Sequence, residues 1–215
     1  MELRSSPDEL DVDPFSLFTN SLAWQLSSCY VMTVVGGMFI AGTYKTFGQK
    51  YFVDKELYLS IVGSVASICN GAGRIAWGMI ADTIPGGPIT AITSLSFIFS
   101  IIIWTFPLAA ESQNEVIFAL WTFLIFFFIG GNFALYLPIT ILLFGSKNAS
   151  ANYGVIVNVY CVFNALNILF LSRISLSLNF VCIILGFVCF LGFVNLNILK
   201  FRAIRTRPRA FLSEK

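Results

Sequence analysis

The group best equipped for chemistry in this sequence is a guanidinium in the middle of an apolar run. Arg74 lies within Leu57–Asp82, a stretch with no other charge between its flanking acids. At 1.5 Å rise per residue it stands about 12 Å along a helix from Asp82. That is near the middle of a hydrocarbon layer about 30 Å thick. A lone cation there costs about 2.5–3.5 kcal/mol on insertion scales and normally faces a bundle interior or a water-filled path. Gly63, Ser67, Asn70, Arg74 and Gly78 follow at spacings of four, three, four and four, which puts them on one helical face. Ile61, Val65, Ile68 and Ile75 form the opposite face. One reading is a cavity-lining helix that offers Arg74 to an anion. The other is a tight seam in which Arg74 pairs with a carbonyl or an acid. Acids are almost absent from the apolar runs, and Asp82 is too far along the helix to pair with Arg74 directly.

A second polar stripe falls between residues 151 and 171. Tyr153, Tyr160, Asn164 and Asn167 share a face, with Asn158 beside it. Phenols and amides hydrogen-bond a carboxylate without adding charge. They also serve as interhelical glue, worth about 0.6 kcal/mol per bond. Trp24, Gln25 and Ser28 read as an interfacial aromatic with packed small polar residues. Gly130-Gly131-Asn132 and Pro138 interrupt another apolar run. They mark either a broken helix lining a site or a simple proline kink.

The elements that must position these groups are membrane helices. The chain has 215 residues, of which 57% are hydrophobic and 11% charged, and its mean hydropathy is +0.84. A soluble domain is nearer 45–50% apolar and about 25% charged. Six runs have spanning length: Phe18–Tyr44, Leu57–Ala81, Ile89–Ala109, Val116–Leu143, Ala151–Leu171 and Leu178–Leu199. They are too long and too little alternating for barrel strands. Short links between them imply antiparallel neighbours in one bundle. The expected fold is therefore all-α and polytopic, with six transmembrane helices. Residues 1–15 read as an acidic cytosolic tail or linker, 16–200 as the transmembrane domain and 201–215 as a basic cytosolic tail.

Composition also narrows function. There is no His, which removes the usual general base and the commonest metal ligand. Cys29, Cys69, Cys161, Cys182 and Cys189 all fall in apolar runs without zinc-type spacing. No paired acids lie in the apolar runs and no phosphate-cradling loop is present. No enzyme, metal or cofactor is expected. A net charge of +2 gives no reason to expect nucleic acid. With both termini on the cytosolic side, that side holds Arg4, Lys147, Lys200, Arg202, Arg205, Arg207, Arg209 and Lys215. The other side holds Lys45, Lys50, Lys55 and Arg173, so the positive-inside bias favours cytosolic termini. The C-terminal basic run reads as a topology anchor, or more sharply as a site for anionic lipid. Asn148-Ala149-Ser150 is the one glycosylation sequon and is expected to stay unmodified on the cytosolic side.

Gly130, Gly131, Phe133, Ala134, Pro138, Phe144, Gly145, Lys147, Asn148, Tyr153 and Gly154 form a pattern. It resembles the signature of oxalate/formate antiporter-like and monocarboxylate transporters of the major facilitator superfamily. Asn70, Gly73, Arg74, Gly78 and Asp82 are similar to the run in that family's eighth span. Together the two patterns cover most of residues 15–200. The resemblance implies that the six spans equal the C-terminal half of a twelve-helix carrier, working by alternating access between two halves. It further implies that Arg74 binds the substrate carboxylate, with Asn70, Tyr160 and Asn164 orienting it. Gly78 and Asp82 would belong to the family's conformational loop motif. Departures from the pattern carry consequences. Asn70 replaces a proton-linked Asp and, as an amide, cannot ionise. Tyr160 stands where the oxalate antiporter has a second cation, which favours a monocarboxylate over a dianion. Asp82 is followed by Thr83-Ile84-Pro85-Gly86-Gly87 without the usual basic residues, which weakens its latch to the other half.

Two functional expectations follow. The chain is a carrier of small carboxylates, or half of one, with the lipid bilayer and an N-terminal six-helix half or a second copy as partners. Alternatively it is a truncated or partial carrier chain that does not transport alone and acts as a structural or interaction subunit.

Overall fold

The computed structural model describes residues 11–171 and 177–206, with the backbone alone for 164–171 and 206. Within them lie a short 3-10 helix, Pro14–Thr19, and six α-helices: α1 (Ser21–Tyr51), α2 (Glu56–Thr83), α3 (Gly87–Glu111), α4 (Glu115–Phe144), α5 (Ala149–Leu171) and α6 (Leu178–Thr206). The described residues contain no strand. Helices α1, α2, α3, α4 and α6 are long and apolar enough to cross a membrane, and α5 contributes the shorter apolar stretch Ala149–Phe163. The all-α expectation matches this architecture, which is that of a polytopic helical membrane bundle.

Local chemistry explains where the boundaries differ from the sequence reading. Phe18 was expected to open the first span, yet it lies in the 3-10 helix. The α-helix starts later because Asn20 caps it, its side chain accepting from the Leu22 N–H at 2.9 Å. At the other end, α6 continues to Thr206, past residue 200 where the tail was expected to begin. Its basic residues suit the carbonyl end of a helix. Lys200 also donates to Thr90 Oγ1 at 2.9 Å, and Arg202 donates to Gln25 Oε1 and Ser21 Oγ. Residues 207–215, with Arg207, Arg209 and Lys215, lie outside the described residues, as do Arg4 and Arg173.

Asn114 caps α4 with one oxygen that accepts from Val116 N at 2.9 Å and Ile117 N at 3.2 Å. Asn114→Ala is expected to lower stability by about 1 kcal/mol, read as a fall in the midpoint of detergent-solubilised thermal unfolding. Asn114→Asp should hold that midpoint, since it keeps the accepting oxygen.

The helices pack as a compact bundle in which α2 lies mainly along α4, α3 against α6 and α4, and α1 against α6, α4 and α5. The α2–α4 crossing is close because glycines meet backbone there. A Cβ on Gly73 would overlap the Phe127 carbonyl, and one on Gly130 would overlap the Asn70 carbonyl. Gly131 lies against the Trp77 indole. Helix α4 runs unbroken through Gly130, Gly131, Asn132 and Pro138. These residues therefore do not break the helix; the two glycines admit a neighbour.

Contacts at the helix ends fix the relative direction of the termini. The start of α1 and the end of α6 meet through Arg202 and Ser21. At that same end, Val12 donates to the Phe144 carbonyl at 2.9 Å. Asp11 Oδ1 accepts from the Lys147 N–H at 3.0 Å. The Val12 carbonyl accepts from Asn152 Nδ2 at 3.0 Å and Asn148 Nδ2 at 3.4 Å. Residues expected to belong to a tail thus form a short strap over the turn between α4 and α5. The opposite end is closed by the Lys55–Glu115 ion pair and by Asn179 donating to Glu111.

Candidate functional site

Helix α2 buries a narrow strip and leaves the rest open. Leu59, Val62, Ala66, Gly73, Trp77 and Ala81 are its buried residues. Ile61, Val65, Ile68 and Ile75 are exposed, as the apolar face of a membrane helix should be. The small polar stripe divides. Gly63 lies under the Tyr44 hydroxyl, whereas Gly78 has open space where a Cβ would stand. Close approach to α4 is made by Gly73, one residue before Arg74 and about 100° away around the helix.

That offset corrects the expectation of a buried guanidinium. Arg74 is exposed within this bundle. It leans over the Phe133 ring of α4, with its guanidinium carbon 5.4 Å from the ring centroid. A cation over an aromatic face is attracted by about 0.5–1 kcal/mol at an exposed site. Among the described residues the one ion pair is Lys55–Glu115, so Arg74 has no carboxylate partner there. Tyr153 of α5 lies within electrostatic reach of Arg74. The positive group therefore stands on a face shared by α2, α4 and α5.

Beside it, a cleft of about 280 Å³ opens between α1, α2 and α4, lined by Met38, Ala41, Ser67, Asn70, Phe126, Ile129 and Phe133. Asn70 and Phe133 reach this cleft from two helices, and Asn70 sits one turn before Arg74. The Asn70 amide donates to the Phe126 carbonyl at 3.1 Å. It ties α2 to α4, and that bond fixes its orientation at the cleft wall.

The other expected site residues are placed less directly. Tyr160 is buried, 6% exposed, and its ring meets that of Tyr30 edge-on at 5.6 Å. Asn164 and Asn167 are on the backbone of α5, but their side chains lie outside the described residues. Asp82 is exposed at the end of α2. The structure thus brings Asn70 and Arg74 together, links Tyr160 to the same region through Tyr30, and leaves Gly78 and Asp82 farther along α2.

Gln25 and Ser28 belong to a different network. Gln25 Nε2 donates to Asn195 Oδ1 at 3.2 Å, and Asn195 Nδ2 donates to Ser28 Oγ at 2.9 Å. These bonds join α1 to α6. Trp24 Nε1 donates to the Phe18 carbonyl at 2.9 Å, which fixes the 3-10 helix on α1.

Sequence reasoning missed Tyr30, Phe133 and Tyr136 as neighbours of this region. Tyr30 and Tyr136 meet edge-on at 4.7 Å, and the Tyr136 hydroxyl shares a 2.8 Å hydrogen bond with Thr33 Oγ1. The available signal was a phenol in the middle of an apolar run. The many Phe residues around these positions masked it.

A bundle of membrane-spanning helices with an open, singly charged face is the class of protein that fold and site define together. Over 163 residues, 72% of its length, the chain is 30% identical to apicoplast pyruvate carrier 1 of Toxoplasma gondii. The matched part makes up 29% of that relative, so the chain spans less than a third of the curated protein it matches. No protein-family model matches the chain.

Proposed function

We propose that this protein is a membrane carrier for small carboxylates, monocarboxylates above all, or one half of such a carrier. In this reading the six helices correspond to one half of a major facilitator fold, with both termini cytosolic. A second six-helix bundle, from an N-terminal half or another copy, covers the Arg74 face. Alternating access then comes from rocking of one bundle against the other. Arg74 forms a charge-assisted, two-pronged bond with the substrate carboxylate, and Asn70, Tyr160 and Asn164 orient it. Asp82 and Gly78 act in the loop motif at the end of α2.

The observation that carries this reading is the exposed Arg74 at mid-helix, backed by Phe133 and without an acidic partner among the described residues. A guanidinium on a bare membrane helix needs either water or a negative partner. Similarity to a relative named for pyruvate supports a monocarboxylate as that partner. The short span of the match and the uncovered face of α2 favour a second reading. On that reading the chain completes a carrier only when joined to another bundle.

Both readings are tested by thermal unfolding of the purified protein with pyruvate, lactate, formate and oxalate. A ligand at about 100 times its dissociation constant should stabilise the folded state by about 2.7 kcal/mol. Pyruvate and lactate are expected to raise the midpoint, and oxalate to raise it less. If no carboxylate moves it, the chain alone is no binder, and the same panel on the chain paired with a second bundle decides for or against the carrier.

A further inference from the structure

Two phenol hydroxyls in the interior are left without a partner. Tyr30 of α1 has 0% exposure and Tyr160 of α5 has 6%. Neither hydroxyl makes a hydrogen bond within the protein. Buried polar groups are nearly always satisfied, and an unmet one destabilises its surroundings. Two such hydroxyls on rings in edge-on contact, 5.6 Å between centroids, form a local group rather than scattered exceptions. The neighbouring phenol shows the contrast. Tyr136 packs on Tyr30 at 4.7 Å, and its hydroxyl is satisfied by Thr33 at 2.8 Å.

Tyr153 connects this pair to the cation. It is half-buried, and it lies within electrostatic reach of both Arg74 and Tyr30. One face therefore carries a guanidinium, an intervening phenol and two unmatched hydroxyls behind it. A simple alkanoate would engage Arg74 and offer the phenols nothing. A 2-oxo acid carries a carbonyl oxygen next to its carboxylate and can accept from two donors. A 2-hydroxy acid can accept from one phenol and donate to the other.

We infer that the hydroxyls of Tyr30 and Tyr160 form a second polar subsite, which takes the oxygen on carbon 2 of a 2-oxo or 2-hydroxy acid. The inference rests on the carrier reading above, with the carboxylate on Arg74. It assigns selectivity to the phenols and charge recognition to the guanidinium. A site built to hydrogen-bond a substrate oxygen rejects the analogue that lacks it, because its own polar groups then stay unpaired.

The test is calorimetric titration of the protein with pyruvate and with propionate, which differ by the oxygen on carbon 2. It is repeated on Tyr30→Phe and Tyr160→Phe, which keep the ring and remove the hydroxyl. The starting protein is expected to prefer pyruvate by about ten- to a hundredfold, and each variant to lose about tenfold of that preference. Both variants should fold, and without ligand should melt no lower than the starting protein, since each removes an unsatisfied group. A starting protein without preference overturns the inference, as do variants that keep the original ratio. If the ratio persists while Arg74→Ala loses both acids, the phenol subsite falls and the carrier reading stands. Absence of binding by either acid to the starting protein removes both.

Discussion

Arg74→Ala is expected to reduce carboxylate binding and uptake by about two orders of magnitude or more. Losing one member of a desolvated, hydrogen-bonded charge pair costs about 2–5 kcal/mol. The same change should leave the melting temperature of the unliganded protein nearly unmoved. Arg74 touches the Phe133 ring and has no ion-pair partner among the described residues. Arg74→Lys should fall between the two proteins. It keeps the positive charge but loses the planar fork that matches a carboxylate. Uptake of labelled pyruvate into proteoliposomes, measured beside thermal unfolding, separates these effects. Undiminished uptake in the alanine variant would take Arg74 out of the site. A large drop in melting temperature would show that it holds the bundle together instead.

The second large effect concerns the seam that carries Arg74. Gly73→Ala places a methyl against the Phe127 carbonyl, and Gly130→Ala places one against the Asn70 carbonyl. A backbone atom cannot rotate aside as a side chain can, so α2 and α4 must separate. Overpacking of this kind costs about 1–3 kcal/mol, enough to lower the melting midpoint by several degrees. It should also disturb the Asn70–Phe126 hydrogen bond that lines the cleft. Gly71→Ala is the control, because a Cβ at that position meets nothing within 4 Å. It should leave the midpoint unchanged or raise it slightly, through alanine's better helix propensity. If Gly73→Ala and Gly71→Ala melt alike, the close crossing is absent.

The helices were legible because each apolar run is long and ends in turn-forming or charged residues. The spans expected at Leu57–Ala81 and Val116–Leu143 lie within one or two residues of α2 and α4. The ends of α1 and α6 were harder. Hydropathy does not register the Asn20 cap, and it treats Lys200 and Arg202 as a stop although both are helical. The face of α2 was read nearly correctly, but its two roles were merged. Gly73 and Arg74 are adjacent in sequence and point in different directions, so a stripe counted at spacings of three and four could not separate seam from open face. Gly130 and Pro138 misled in another way. Their types weaken a helix in isolation, whereas neighbouring backbone supports α4 throughout. The phenol pair was half hidden. Tyr160 stood out within a polar stripe, but Tyr30 acquires meaning only when α1 is laid against α5.

The Val12 segment has a mechanical consequence. Its carbonyl is held by Asn148 and Asn152, its amide by Phe144, and the preceding Asp11 by Lys147. All four anchors lie at the joint between α4 and α5, while a few residues on the chain becomes the 3-10 helix leading into α1. Any tilt of α5 must therefore pull on the lead-in to α1, or else release those bonds. The segment acts as a lever arm that couples the angle of α5 to whatever polypeptide is attached upstream.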